Sequence, residues 1–232
     1  MAEQVRSNGV EEGLLKEIET LEVEINMAYL AEEIPIAINQ SLEGISKVSQ
    51  LVSAMKGFSH PGKERKGWAD INQAIASTVK IAQNEWKYVA ELELDMEQNL
   101  PLVYCHIGEI NQVILNMIIN AAQTIKEKAS EENSRISKGK ITIRTRFLGD
   151  HVSIFIEDTG KGIPAHILDK IYNPFFTTKD LGIGTGQGLA ISHEIIFKRH
   201  GGQIDVESEE GLGTTFTVAL PIGLEEMDLN ER

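Results

Sequence analysis

Two glycine-rich segments restrict the fold of this chain more than any other feature. They are DTGKGIP at residues 158–164 and GIGTGQGLA at 182–190, and NPFFTTKD at 173–180 lies between them. All three follow NQVILNMIINAAQTI at 111–125, whose apolar residues recur at the three-and-four spacing of a helix. Either glycine cluster alone would indicate only a turn. Their order after one helix predicts a loop-lined binding site beside that helix.

The composition limits the classes of partner. The chain has 232 residues, of which 41% are hydrophobic, so it can bury a sizeable core. Its net charge of −13 repels nucleic-acid phosphates and anionic lipid surfaces. The single cysteine, Cys105, excludes an internal disulfide and is typical of a reducing compartment, so we expect a cytoplasmic location. No apolar run reaches the ~20 residues that span a bilayer, so any membrane anchor of a parent protein is expected outside this chain.

The first part of the chain is predicted to be helical. Residues 1–10 are polar and aperiodic, and we interpret them as a disordered or vector-derived tail. Residues 11–56 predict a helical hairpin or bent helix interrupted at Pro35, with an apolar stripe too large for solvent. A homodimer formed through these helices is therefore expected. The stripe consists of Leu14, Ile18, Leu21, Ile25, Ala28, Ile38, Ile45, Val48, Val52 and Met55.

The rest of the chain predicts a globular α/β domain. Residues 57–67 are rich in glycine and charge and indicate a linker, 68–223 the domain, and 224–232 a tail. Helices are predicted at 71–83, 110–125 and 188–200, strands at 89–95 and 102–105, and hairpins at 140–158 and 203–220. This order favours a two-layer α/β sandwich with helices on one face of a mixed sheet. The residues predicted to be buried on the middle helix are Ile110, Val113, Ile114, Met117, Ile118, Ala121 and Ile125.

The polar residues of these motifs suit a nucleotide. Asn116 and Asn120 lie four apart on one helical face, and a carboxamide oxygen is a suitable ligand for Mg²⁺. Asp158 ends an apolar strand, where its carboxylate can accept a hydrogen bond from an exocyclic amine such as that of adenine. Gly160 and Gly162 allow the backbone to approach a base closely.

The second glycine-rich segment suits phosphates. Its glycines alternate with other residues directly before a helical run that starts at Leu189, and backbone amides of such a loop can bind phosphate. The segment lacks the lysine and Ser/Thr of a P-loop and the GxGxxG of a dinucleotide fold.

Together with PFFTTK (174–179) and GTTFTVALP (213–221), these motifs resemble the catalytic ATP-binding domain of sensor histidine kinases. That domain has the Bergerat fold of the GHKL superfamily, which also contains the gyrase, heat-shock-protein-90 and MutL ATPases. The resemblance covers roughly residues 68–222. It implies ATP and Mg²⁺ as cofactors and three partners: a second copy of the chain, a histidine-bearing helix of the parent kinase, and a response regulator.

The resemblance also implies roles for individual residues. Asn120 would be the Mg²⁺ ligand, Asn116 would support the phosphates, and Asp158 would recognise adenine. Residues 173–187 would form the ATP lid, with Phe175 and Phe176 as its apolar anchor and Lys179 as a phosphate contact. Asn116, Asn120 and Lys179 are therefore the candidate catalytic residues, and Thr214 or Thr215 could contact the nucleotide edge. The predicted binding set is Asn116, Asn120, Thr124, Asp158, Gly160, Gly162, Ile163, Phe176, Thr177, Thr178, Lys179, Gly184, Thr185, Gly186, Gln187, Gly188, Leu189 and Thr215.

The residue four positions before Asn120 favours a kinase. In the gyrase-type branches of the superfamily a glutamate at this position activates water, whereas Asn116 cannot accept a proton near neutral pH. Residues 29–62 resemble the second helix of the kinase dimerisation hairpin, so the phosphoacceptor histidine is expected outside this chain; His60 is a minor candidate. The alternatives are a self-contained ATPase, a nucleotide-binding pseudokinase that acts as an interaction module, and a serine kinase of the anti-sigma type.

Overall fold

The computed structural model describes residues 26, 29–41, 44, 66–131, 138–179 and 184–223, and the chain divides into two compact units, Met1–Met55 and Lys56–Arg232. In the first unit residues 29–41 form a helix. Ile38 of the predicted stripe exposes 54% of its surface, and Ile34, four residues before it and not part of the predicted stripe, exposes 51%. The other predicted stripe residues, His60 and the two terminal tails lie outside the described residues.

Strands of the second unit form two sheets in the described part of the chain. β1 (Gly67–Ala69) pairs with β3 (Val103–Cys105) in a small antiparallel sheet. The strands of the main sheet are β2 (Ala90–Met96), β4 (Gly139–Phe147), β5 (His151–Asp158), β6 (Gln203–Glu209) and β7 (Gly213–Pro221). Their order across the sheet is β2-β4-β5-β7-β6. β2 and β4 are parallel, and the other neighbours are antiparallel.

The helices pack on one face of the main sheet. They are α1 (Ile71–Ile81), α2 (Gln83–Trp86), α3 (Ile107–Glu131) and α4 (Gly188–His193), which continues as a π-helix over Glu194–Arg199; a short 3₁₀ helix spans Ala165–Lys170. All seven apolar residues predicted to be buried on α3 are buried. Inward-facing residues of the central strands, such as Ile143, Ile154 and Val218, are buried as well, and α3 packs against β4 and β5. The predicted two-layer α/β sandwich is confirmed.

The opposite face of the sheet is polar and carries cross-strand ion pairs. Arg144 Nη1 of β4 lies 2.7 Å from Glu157 Oε2 of β5, and Lys140 Nζ of β4 lies 2.6 Å from Glu93 Oε2 of β2. The alternation of apolar and charged residues along β4 and β5 therefore separates the core face from the polar face.

The structure contains α2 and the 3₁₀ helix, which were not predicted, and it differs from the predicted elements in three further places. β1 was not predicted, because three residues are too few to show an alternation. α3 extends beyond the predicted 110–125 at both ends, and its C-terminal extension, residues 126–131, is polar but contains lysine, glutamate and alanine, which favour helix. The last helix changes to π geometry after His193, which its apolar spacing did not indicate.

Candidate nucleotide-binding site

The carboxylate of Asp158 lies at the centre of the candidate site. This residue ends β5 and exposes only 6% of its surface. Its Oδ1 accepts hydrogen bonds from the Gly160 N–H at 2.8 Å and from the Thr124 hydroxyl at 3.4 Å. Burial raises the pKa of Asp158 to about 6, although these donors and the Thr214 backbone oppose the shift. The site therefore contains a largely buried acceptor that suits an amine donor.

Two glycines allow close backbone contact around Asp158. Gly162 has φ of +73°, and a Cβ at this position would lie 2.1 Å from the Glu209 carbonyl oxygen. Gly213, at φ +140°, would place a Cβ 1.9 Å from the carbonyl oxygen of Asp158. Because any side chain would push these segments apart, both positions require glycine. The loop after β5 is thus held against the turn between β6 and β7.

The polar face of α3 brings two carboxamides to the same region. Asn116 Nδ2 donates to the Gly188 carbonyl oxygen at 3.1 Å and to the Ser192 hydroxyl at 3.3 Å, which ties α3 to α4. These bonds use the amide hydrogens and leave its oxygen for another partner. Asn120 is half-buried, and its side chain has no hydrogen-bond partner among the residues that the structure describes. An unpartnered carboxamide oxygen there fits a hard cation such as Mg²⁺.

A lysine of the predicted lid contacts α3. Lys179 Nζ donates to Gln123 Oε1, three residues after Asn120. Burial lowers the pKa of Lys179; the Glu127 carboxylate opposes this shift and the Lys161 ammonium adds to it. A partly desolvated cation of this kind would gain from an anionic ligand. Gln123 was not predicted, although its spacing from Asn120 could have indicated it.

The two described parts of the predicted lid, residues 173–179 and 184–187, contact each other. The Phe175 N–H donates to the Gly186 carbonyl oxygen at 2.9 Å, and Gly184 packs against the side chains of Thr177 and Lys179. The prediction that Phe175 anchors the lid is wrong, because its side chain is 72% exposed at φ +67°. The left-handed backbone and the bond to Gly186 turn Phe175 outward, while Phe176 is half-buried.

Thr214 lies beside Asp158, whereas Thr215 does not. The strand register sets Thr214 opposite Asp158 and Thr215 opposite Glu157. Side chains alternate along β7, so the buried Thr214 faces the helices and Thr215 faces the polar side of the sheet. Of the two threonines considered, the geometry favours Thr214, and the choice of Thr215 is corrected. The sequence alone could not distinguish Thr214 from Thr215, because the distinction depends on how β7 pairs with β5.

The remaining predicted residues line the two glycine-rich segments. The Ile163 N–H donates to the Ser208 hydroxyl at 2.8 Å, so this residue belongs to the loop after β5. Thr178 is exposed, and the Thr185 hydroxyl accepts from the Gln187 N–H at 3.4 Å. Gln187, Gly188 and Leu189 form the start of α4. The sequence did not indicate Ser208, because only the packing of the hairpin against this loop brings it close.

Comparison with known proteins gives one family over this region. Residues 106–224 match the family described as histidine kinase-, DNA gyrase B-, and HSP90-like ATPase. The chain is 34% identical over 199 residues to sensor kinase CckA of Brucella abortus (strain 2308), covering 79% of this chain and 20% of that protein. It is 33% identical over 183 residues to sensor histidine kinase ZraS of Escherichia coli (strain K12), covering 78% of this chain and 37% of that protein. The chain thus spans well under half the length of these relatives.

Solved structures share the fold. The catalytic domain of histidine kinase ThkA superposes with a TM-score of 0.58 at 26% identity, covering 68% of this chain and 99% of that one. A structure of ThkA in complex with response regulator protein TrrA superposes with a TM-score of 0.58 at 24% identity, covering 77% of this chain and 49% of that chain.

In the described residues we find no helix with the length and apolarity to cross a membrane.

Proposed function

Because this chain belongs to the family of histidine kinase-, DNA gyrase B- and HSP90-like ATPases, we propose that it is the ATP-binding catalytic part of a sensor histidine kinase. It transfers the γ-phosphoryl group of Mg-ATP to a histidine of the parent kinase. The observation that carries the proposal is the buried carboxylate of Asp158, held by the Gly160 amide beside the polar face of α3.

Recognition of adenine rests on Asp158. Its carboxylate accepts a hydrogen bond from the exocyclic amine of the base, and this bond replaces part of the solvation lost on burial. The Thr124 hydroxyl contacts the carboxylate, and Thr214 is paired with Asp158 on the neighbouring strand. Guanine carries a carbonyl oxygen at the corresponding position, so the site favours adenine over guanine.

The phosphates occupy the region between α3 and the lid. Lys179 supplies a positive charge, and the amides at the start of α4 supply N–H donors. The Asn120 carboxamide, which has no partner among the described residues, would hold Mg²⁺ with Asn116 beside it. When bound, Mg²⁺ neutralises charge on the phosphate oxygens and so favours phosphoryl transfer.

Asn116 favours transfer over hydrolysis. Its amide hydrogens already bind Gly188 and Ser192, and an amide oxygen is too weak a base to take a proton from water. Because Asn116 cannot activate water, the γ-phosphoryl group is retained for a protein acceptor.

The partners and location follow from this assignment. The chain acts as a homodimer through its N-terminal helices, presents the phosphoryl group to a histidine-bearing helix, and supplies a response regulator. The structure of ThkA in complex with its response regulator supports this proposal, because it superposes on this chain. A cytoplasmic location fits the free, buried thiol of Cys105.

Calorimetric titration with Mg-ATP tests the site. Asp158→Ala should abolish binding, since it removes the base acceptor, whereas Asp205→Ala on the exposed edge strand β6 should bind as the wild type does. Circular dichroism at equal concentration checks that both variants fold. Retained affinity in Asp158→Ala would rule out this site.

Phosphoryl transfer is tested with ATP labelled on the γ-phosphate. We expect little free phosphate from the chain alone. Addition of a protein that carries the histidine helix of the parent kinase should give acid-labile label on that helix. Steady release of phosphate without an acceptor would instead indicate a self-contained ATPase.

A further inference from the structure

Lys128 joins three segments around the candidate base site. It lies on α3, one turn after Thr124, which contacts Asp158. Its Nζ donates to the Thr159 carbonyl oxygen at 3.2 Å and to the Gly211 carbonyl oxygen at 2.8 Å. Thr159 directly follows Asp158, and Gly211 lies in the turn between β6 and β7. One ammonium group therefore connects α3, the loop after β5 and the hairpin turn.

The loop and the turn also contact each other directly. The Gly211 N–H donates to the Lys161 carbonyl oxygen at 2.7 Å, and Gly162 approaches the Glu209 backbone so closely that no Cβ fits. These contacts fix the loop to the turn, but they do not fix either of them to α3. Lys161 Nζ of the loop lies 2.5 Å from Glu127 Oε2 of α3, but this ion pair does not reach the turn. Lys128 links both the loop and the turn to the helix that supplies Thr124 and Asn120.

We propose that Lys128 is a positioning residue for the nucleotide base, which it serves by holding the Gly160–Gly162 loop at a fixed distance from α3. This inference rests on the proposed function. The donors of Lys128 are directed at the carbonyls of the loop and the turn, so it acts through Asp158 and Gly160 and not on the ligand.

The position of Lys128 on α3 separates it from the phosphate region. It lies twelve residues after Asn116, a rise of about 18 Å along an α-helix. Asn116 contacts the start of α4, where the phosphates are expected. A loss of Lys128 should therefore affect the base part of the site and leave the phosphate part intact.

Titration of Lys128→Met with adenosine, ADP and Mg-ATP tests this role. Methionine keeps the apolar stem of the side chain but has no donors. We expect affinity for all three ligands to fall by the same factor, about tenfold, as for loss of a charged hydrogen bond. Lys126→Met, an exposed lysine on the same helix, is the matched control and should bind as the wild type does. Lys128→Arg retains donors and should restore much of the affinity.

Each other outcome would overturn the inference. A loss that grows with the number of phosphates would make Lys128 a phosphate contact. Urea unfolding of the same variants distinguishes an effect on stability from an effect on nucleotide binding. If Lys128→Met lowers the free energy of unfolding but leaves the affinity unchanged, Lys128 has only a structural role. A wild type that binds none of the ligands would overturn the proposed function as well, whereas a binding wild type with an equally tight Lys128→Met would refute only the role of Lys128.

Discussion

At the scale of single residues, Asp158 sets the behaviour of the candidate site. Burial raises its pKa to about 6, so the free protein carries a mixture of charged and neutral Asp158 near that pH. The folded state binds this proton more tightly than the unfolded chain does. The contribution of Asp158 to the free energy of unfolding is therefore largest below its ordinary pKa and falls as the pH rises toward 6.

Nucleotide affinity should have the opposite dependence on pH. Accepting a hydrogen bond from adenine favours the carboxylate, so affinity for Mg-ATP should rise as the pH increases through about 6 and then level off. Calorimetry between pH 5 and 8 in buffers of different ionisation enthalpy should detect proton release near pH 6. Asp158→Asn, which does not titrate, should bind weakly with a flat profile. A flat profile for the wild type would contradict the assignment.

At the scale of elements, periodicity predicted most of the second unit. The spacing of apolar residues gave α3 and its buried face, and the alternation in β4 to β7 gave both hairpins, because these patterns are local. β1 was missed because its only signal is its pairing with β3. The π geometry after His193 was missed because it depends on packing and not on residue type.

The same distinction between local patterns and packing applies to the residues of the candidate site. Asp158 and the two asparagines could be predicted, since motif order and helical spacing carry them. The choice of Thr214 over Thr215 required the β5–β7 register, and the outward turn of Phe175 required the backbone conformation. Lys128 also was not predicted, because its two partners come from distant parts of the chain.

A buried histidine connects two helices at the far end of the layer. The Nε2 of His200 accepts from the His106 N–H at 3.1 Å, just before α3, and its Nδ1 donates to the Ile195 carbonyl oxygen at 2.9 Å. These two bonds require a neutral ring. Burial lowers the pKa of His200, the nearby charges of Lys66 and His106 add to this shift, and the Ile195 carbonyl and Glu109 oppose it.

The free energy of unfolding should therefore depend on His200 and on pH. Its contribution is complete above the ordinary histidine pKa of ~6.5 and is lost as the pH falls from there through the lowered folded value. His200→Asn should lower the free energy of unfolding by about 1–2 kcal/mol at pH 7, and by less at pH 5, in urea titrations. The exposed His166→Asn is the control. An equal effect at both pH values would mean that the pKa of His200 is the same in the folded and unfolded states, which would contradict the lowered value.

At the scale of the whole molecule, association is the main open prediction. The net charge of −13 opposes contact between copies, so apolar surface must outweigh repulsion for a dimer to form. The helix over residues 29–41 exposes about half of Ile34 and of Ile38 on one side. Apolar side chains at a spacing of four can pack against a second helix.

Sedimentation velocity should reveal a concentration-dependent dimer of the full chain. Ile38→Glu should shift it toward monomer, because the change buries a charge in the interface. Ile81→Glu, at a 75% exposed position on α1, is the matched control and should remain dimeric. Wild-type chain that is monomeric at all concentrations, or two variants that behave alike, would argue against this interface.

The parallel pairing of β2 with β4 has a consequence for how the chain folds. The two hairpins join strands that are adjacent in sequence, whereas Ala90 of β2 meets Gly139 of β4 only after β3 and the whole of α3 have intervened. Closing so long a loop costs entropy before any pairing is gained, and such contacts slow folding. During synthesis β2 leaves the ribosome well before its partner exists. This edge of the sheet is therefore expected to acquire its native hydrogen bonds last.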